Sequence, residues 1–467
     1  MILMLSGQYD FLVENMWLAE IIAIVLLILP VFLVFMKEKW FFFYYAISIV
    51  ANLPLIFVMV FGFSYEAIIG FFILFVLIKD IIKRKNLRYL TTKENKAFII
   101  IIIIIMLVNL GTAFFNFNGP AFMERLFNYI VSIFILFVYT YYFRESKKIK
   151  FIKNGILVGG VILVISMIIE LIYGHFIVGL RNMRPGGLLL DPNVCGFALN
   201  IVLVLSFLER EKGKFINDLL IVASRMLLIF GVFLTVSRSA YLGTLFVLVC
   251  YMVYYSRGKR SWIVPSVTVV FIVMYLICYP IINNFFKNIY NILDLKRIIP
   301  YSGPPDPPSG NGPGGGVITE PGVDYSNSRI DLLIAAIKIF GNNFITGVGI
   351  GNVTTKINNY TNLPMNAHNL FLQLLAESGI IMLIAFLFFA YYLFNLLGSI
   401  EKRFKFFIWV IFGLLFLESM FNHNLLNINL TFLVLSIVIG LISVSSCNRI
   451  NYVITRENFK IKKKSFK

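Results

Sequence analysis

The sequence predicts an all-α, polytopic membrane protein, and three observations carry that expectation. The chain is 59% hydrophobic and 14% charged, whereas an ordinary soluble domain is roughly half apolar and about a quarter charged. Its apolar residues gather in runs that repeatedly reach the ~20 residues a bilayer crossing needs. The segments between runs are alternately rich and poor in lysine and arginine, which is how loop sidedness is encoded. The formal net charge of +18 is therefore a topology signal, not the footprint of nucleic acid.

Taken in order, the apolar runs predict about 12–13 spans. They lie near 16–36, 40–62, 66–82, 97–115, 126–143, 154–173, 189–208, 217–236, 239–256, 262–280, 378–398, 405–422 and 428–446. Pro54 is placed to kink the second. Met1 to Asp10 has neither a basic start nor a small-residue cleavage site, so no cleavable signal is expected. Lys37 and Lys39, Lys83 to Arg88, Lys147 to Lys153, Arg210 to Lys214, Arg257 to Arg260 and Lys402 to Lys405 form one set of loops. These face the cytoplasm, with the basic tail, and the alternate loops face out.

The sequence divides into an N-terminal bundle (1–180), a membrane core (181–280), an extracytoplasmic loop (281–377), C-terminal helices (378–447) and a basic cytoplasmic tail (448–467). The large loop lies between the tenth and eleventh spans. Its Tyr301–Gly316 segment, rich in proline and glycine, predicts a disordered insert. Ser328 and Asp331 then form a capping box opening a short helix that Gly341 closes. Gly347, Gly349 and Gly351 follow. They lack the strand–turn–helix setting of a dinucleotide site, and predict a tight turn bringing backbone close to the helix at His368.

That helix is expected over Asn366 to Gly379. Asn366, Asn369, Gln373 and Glu377 share one face, with Leu370, Phe371, Leu374 and Leu375 opposite. His368, at the edge of the polar face, is the candidate catalytic base. Its blander role is that of an interfacial histidine on a surface helix. Glu377 and Glu418 are candidate partners for it or for an acceptor. Arg181, Arg184, Arg238 and Arg329 lie on the side otherwise depleted of positive charge, where retaining them is costly unless they have work. Guanidinium groups match phosphate oxygens in pairs, and Arg238 stands at a helix start that itself favours an anion. Together they fit a lipid-linked diphosphate. Arg225, inside the eighth span, is expected to pair with a buried acid or carbonyl. His175, His368 and His423 lack metal-like spacing, so no metal is expected. Cys195, Cys250, Cys278 and Cys447 are expected as packing residues.

Three blocks resemble the O-antigen ligase and O-antigen polymerase superfamily of membrane glycosyltransferases. They are RPGGLLLDPNVCG from Arg184, TVSRSA from Thr235, and the segment from NSRIDLL at Asn327 to NAHNLFLQLLAESG. The resemblance spans about residues 180 to 400, with His368-Asn369 nine residues ahead of Gly379. It implies a type C glycosyltransferase fold and a glycan donor on undecaprenyl diphosphate, without cofactor. His368 would be the general base, and Arg181, Arg184, Arg238, Arg329, Asn369 and Glu377 would hold substrate. The reaction implied is an inverting, metal-independent transfer outside a bacterial cytoplasmic membrane, in capsule, exopolysaccharide or O-antigen synthesis. Expected partners are the bilayer, an acceptor glycan, a flippase and a chain-length regulator. The preferred activity is repeat-unit polymerisation; the alternatives are a ligase acting on lipid A, protein or cell wall, and, from another class, a polysaccharide flippase. A flippase would show internal repeats and a charged cavity within the spans; the sequence shows no repeat and few charges at mid-membrane.

Overall fold

The computed structural model describes residues 16–35, 38–61, 93–142, 146–173, 185–207, 215–255, 325–361, 365–398, 402–423 and 425–442, residue 400, and scattered positions between 69 and 79. Every regular element among them is helical. In chain order these are α1 (Met16–Phe35), α2 (Glu38–Ala51), α3 (Pro54–Phe61), α4 (Lys93–Gly111), α5 (Gly119–Tyr142), α6 (Ser146–Tyr173), α7 (Pro192–Ser206), α8 (Phe215–Leu234) and α9 (Arg238–Tyr255). They continue with α10 (Tyr325–Asn342), α11 (Val353–Thr361), α12 (Leu370–Gly398), α13 (Lys402–Ser419) and α14 (Asn429–Ile442). The chain forms two compact units, Met1–Val247 with Arg329–Lys467, and Leu248–Ser328. Of the second, the end of α9 and the first residues of α10 are described. All that follows concerns the first.

Four described segments are long and apolar enough to cross a bilayer: Ala97–Phe114, Gly119–Thr140, Phe151–Glu170 and Leu370–Gly398. The other apolar helices are shorter, among them Pro192–Ser206 and Asn429–Ile442. Their surfaces fit lipid. On α1 the exposed Ile21, Ile24, Ile28 and Phe32 follow helical spacing, so one stripe stays apolar and uncovered by protein. The chain is a helical membrane protein. The third and tenth expected spans and the Tyr301–Gly316 insert lie largely or wholly outside the described residues.

The expected second span is broken. α2 ends at Ala51, Asn52 turns left-handed (φ 52°), and the Leu53 N–H returns to the Ser48 carbonyl at 3.1 Å. This is a Schellman closure. Pro54 then occupies the first turn of α3, where a missing N–H costs nothing. α2 packs in parallel on α6, with Trp40 against Phe151 at 5.1 Å between ring centroids. A Cβ on Gly155 would lie 2.7 Å from the Phe43 carbonyl, and one on Gly159 2.8 Å from the Val50 Cβ. Arg225 on α8 meets a carbonyl, as expected: it donates to the Ser206 oxygen at 2.7 Å and to Ser206 Oγ at 3.0 Å. Cys195 is buried within the core.

Two expected boundaries need correction. α10 begins at Tyr325, so Ser328 and Asp331 lie within its first turns and do not open it. Tyr325, Ser326 and Asn327 contain neither glycine nor proline, so nothing in them prevents a helix from including them. The second correction concerns the helix at His368, which starts at Leu370 rather than Asn366. α11 was not anticipated. Its buried Val353 and Ile357 are a single i, i+4 pair, too short a pattern to identify a helix.

Candidate functional site

The glycine-rich turn fixes the frame. α12 breaks at Gly379 (φ 64°, ψ −154°), which frees carbonyls of the preceding turn. The N–H of Val348 takes the Ala376 carbonyl at 2.9 Å, and the N–H of Gly349 takes that of Glu377 at 3.0 Å. Buried backbone groups must find such partners. Gly347 (φ 69°) lies so close that a Cβ would collide with the Glu377 carbonyl. The expected turn is therefore present, but it touches α12 at Glu377–Gly379, about two turns beyond His368.

His368 precedes α12 instead of riding on its polar face. Asn369 is the N-cap, its Oδ1 accepting from the Leu372 N–H at 3.0 Å, in the usual role of this residue type. His368, the residue before this cap, is left-handed (φ 49°). Two ties hold the loop. Gln373 Oε1 accepts the Ala367 N–H at 3.1 Å, and Asn369 Nδ2 donates to the Met420 carbonyl at 3.4 Å. The second tie brings the loop to the end of α13, where His423 stands. The two imidazoles meet edge to face, with centroids 5.3 Å apart and planes at 90°.

Charge around His368 has two signs. Burial, and then the Arg329 guanidinium, hold its pKa below the ordinary histidine value, while Asp191 opposes them. His423 is pushed down to about 4 by burial, then by His368 and Arg125. Both imidazoles are thus neutral near pH 7. Glu418, on the last turn of α13, is buried; Asn422 lies beside it and Asp191 acts on it electrostatically.

Glu377 sits elsewhere. It is fully buried, with Oε1 accepting from Gln373 Nε2 at 3.0 Å and facing Arg125 at 3.5 Å. Its Oε2 accepts from Asn109 Nδ2 at 2.9 Å. Asn109 also donates to Ser378 Oγ at 3.1 Å and accepts the Tyr129 hydroxyl at 2.9 Å. One network thus runs from α5 through α4 and α12 to the Ala367 N–H, the residue before His368. The polar face of this helix points into the protein.

Arg238 is exposed at the first turn of α9. That turn packs on the first turn of α7, where a Cβ on Gly196 would collide with Ala240. Ser237 Oγ donates to Asn193 Oδ1 at 2.8 Å. Asp191 caps α7, accepting the Asn193 N–H at 2.7 Å. Arg238 and Asp191 therefore belong to one pair of helix starts, and Asp191 links that pair electrostatically to His368. Arg329, near the start of α10, is exposed. Arg181, Arg184 and His175 lie outside the described residues.

Backbone strain marks the same places. The non-glycine residues with positive φ among the described residues are Asn52, Leu190, Val236 and His368. Leu190 precedes Asp191, and Val236 lies two before Arg238. Such conformations cost of order 1–3 kcal/mol each and cluster at functional sites.

Residues 223–387 match the family model of the O-antigen ligase. That segment, about a third of the chain, is similar to the O-antigen ligase family. It contains Arg238, Arg329, His368, Asn369 and Glu377, and lies inside the segment whose motifs resemble that superfamily. A search of curated proteins finds no match. Around the matched segment the structure adds three residues that sequence reasoning left out of the site: Asp191, Arg125 and His423. Arg125 carried the same signal as Arg238, a positive charge at the outer end of a span. Asp191 stood in the first motif block, but nothing in the sequence tied it to His368.

Proposed function

We propose that this chain is a polysaccharide repeat-unit polymerase, moving a glycan from undecaprenyl diphosphate to a sugar hydroxyl outside the cytoplasmic membrane. The observation that carries the reading is a backbone-strained imidazole, inside the segment that matches the O-antigen ligase family, on which the Arg329 guanidinium and the Asp191 carboxylate both act electrostatically. The acceptor oxygen attacks the anomeric carbon and its proton passes to His368. The bond from that carbon to the phosphate oxygen breaks, its electron pair leaves on the diphosphate, and the configuration inverts. His368 is the general base. Arg329 and Arg238, with Arg181 and Arg184, hold the donor diphosphate and balance charge growing on it. Asp191 gives the imidazolium a counter-charge as it forms. Asn369 and Glu377 are assigned to positioning: one caps the helix, the other anchors the loop through Gln373.

The family match is equally compatible with a second reading, a ligase delivering finished glycan to lipid A, protein or wall. Surface glycan from a deletion strain separates the two on a gel. A polymerase leaves single repeats where long chains stood; a ligase leaves long chains that are not attached. Unchanged surface glycan would refute both.

A further inference from the structure

A cavity of about 370 Å³ lies beside the site. It is bordered by the α2–α3 break at Asn52, the first turns of α5 at Glu124 and Asn128, the cap of α7 at Asp191, and the start of α14 at Asn429. We infer that this cavity is the acceptor-sugar subsite, and that it takes a neutral or amine-bearing saccharide and rejects acidic ones. The inference rests on the sugar-transfer reading above and names the substrate half that reading leaves open.

Three features of the cavity support it. The first is chemistry. Its polar border consists of two carboxylates, Glu124 and Asp191, and three carboxamides, Asn52, Asn128 and Asn429. Carboxylates accept hydrogen bonds, and amides both donate and accept, which suits a ligand presenting many hydroxyls. Leu189, Val194 and Leu430 supply apolar wall for the C–H faces of a sugar ring. No lysine or arginine borders it, so it repels a diphosphate and cannot serve the donor's anionic end. The volume lies at the low end of the ~300–1,000 Å³ typical of small-molecule sites, and suits a few sugar units.

The second feature is connection. Asp191 borders the cavity and is also the carboxylate that acts on His368. A hydroxyl held there approaches the base from its acidic side, while Arg329 provides the cationic side for the donor. The third is preorganisation. Asn52 and Leu190, next to Asp191, are both held at positive φ, and Asn52 Nδ2 is fixed on the Leu188 carbonyl at 2.7 Å. The wall is set before a sugar arrives.

The test uses the full chain purified in detergent. The acceptor probe is a one-repeat oligosaccharide released from the strain's own polymer, and the donor is the lipid-diphosphate-linked glycan. Asn128→Leu and Asn429→Leu are expected to raise the KM for the oligosaccharide at least about tenfold, the loss expected for a missing hydrogen bond in a site built around it, with donor KM unchanged. Glu124→Gln changes an exposed side chain and Asp191→Asn keeps a capping residue, so both variants should fold. Oxidising a primary hydroxyl of the probe to a carboxylate should weaken its binding to the wild type, and the Glu124→Gln, Asp191→Asn pair should remove most of that penalty. An unchanged acceptor KM in the asparagine variants, a donor KM rising in step, or no penalty for the acidic probe would overturn the assignment. If the wild-type chain forms no glycosidic bond, the transfer reading fails. Equilibrium binding of the oligosaccharide to wild type and Asn128→Leu then decides the cavity separately, with equal affinities counting against it.

Discussion

Two polar clusters lie within two turns of one another on α12 and its approach, and they differ in almost every respect. Around Glu377 every acidic oxygen is answered, by Gln373, Arg125 and Asn109, and the carboxylate is sealed from solvent. Around His368 the backbone is strained, the charged neighbours Arg329 and Asp191 are exposed, and a cavity opens at Asp191. The contrast separates support from chemistry. A saturated buried network fixes geometry and has no capacity left for substrate; an unsaturated, strained site beside it has that capacity. Both clusters use the residue types that motif reasoning would assign to catalysis, so identity alone does not distinguish them.

The largest expected effect breaks the support. Glu377→Ala leaves Arg125 and Asn109 facing a void, and removing one partner of a buried pair costs about 3–5 kcal/mol. The variant should lose stability in a thermal scan of the purified chain, and activity should fall with it. A stable but inactive Glu377→Ala would instead move this carboxylate into the chemistry and erase the comparison.

Arg238→Lys is a smaller change that touches only the reactive side. A lysine keeps the charge but loses the planar fork, so transfer should fall by roughly tenfold, equivalent to about 1.4 kcal/mol, with thermal stability unchanged. Equal rates in the variant and the wild type would remove Arg238 from the diphosphate site.

The pH dependence gives the smallest and most specific effect. The base works only unprotonated, and His368 titrates below the usual histidine value of about 6.5. The acid limb of the activity profile should therefore have its midpoint below that value, with activity falling as pH drops through it. Arg329 lowers this pKa and Asp191 raises it. Arg329→Gln should move the acid limb to higher pH, and Asp191→Asn should move it to lower pH. Limbs that shift together, or stay fixed in a pH–rate series, would detach both residues from His368.

Local signals in the sequence were read well where the physics is local. Apolar runs located α1, α4, α7 to α9, α13 and α14 to within about four residues, and the C-terminal ends of α5 and α6, whose first two turns were missed; the Pro54 break followed from one residue's chemistry. The glycine turn was legible because only glycine tolerates such close approach with positive φ. What periodicity could not supply was the partner. Of the expected stripe of Asn366, Asn369, Gln373 and Glu377, only Gln373 and Glu377 lie on a face of α12, and whether that face met water or protein depended on Asn109, Arg125 and Tyr129, more than two hundred residues earlier in the chain. His368 was legible as a candidate, yet its place before the helix and its left-handed backbone were not, because the sequence does not fix which asparagine, Asn366 or Asn369, caps α12. Asp191 stood in the first motif block without an assigned role; the structure shows it as the N-cap of α7.

The most direct test of His368 as the proton acceptor is a comparison of donor binding and transfer in the purified full chain. His368→Ala should bind the undecaprenyl-diphosphate-linked glycan with wild-type affinity and join no repeats, because the guanidinium groups remain and the base is gone. Polymer of normal length from that variant would contradict the account.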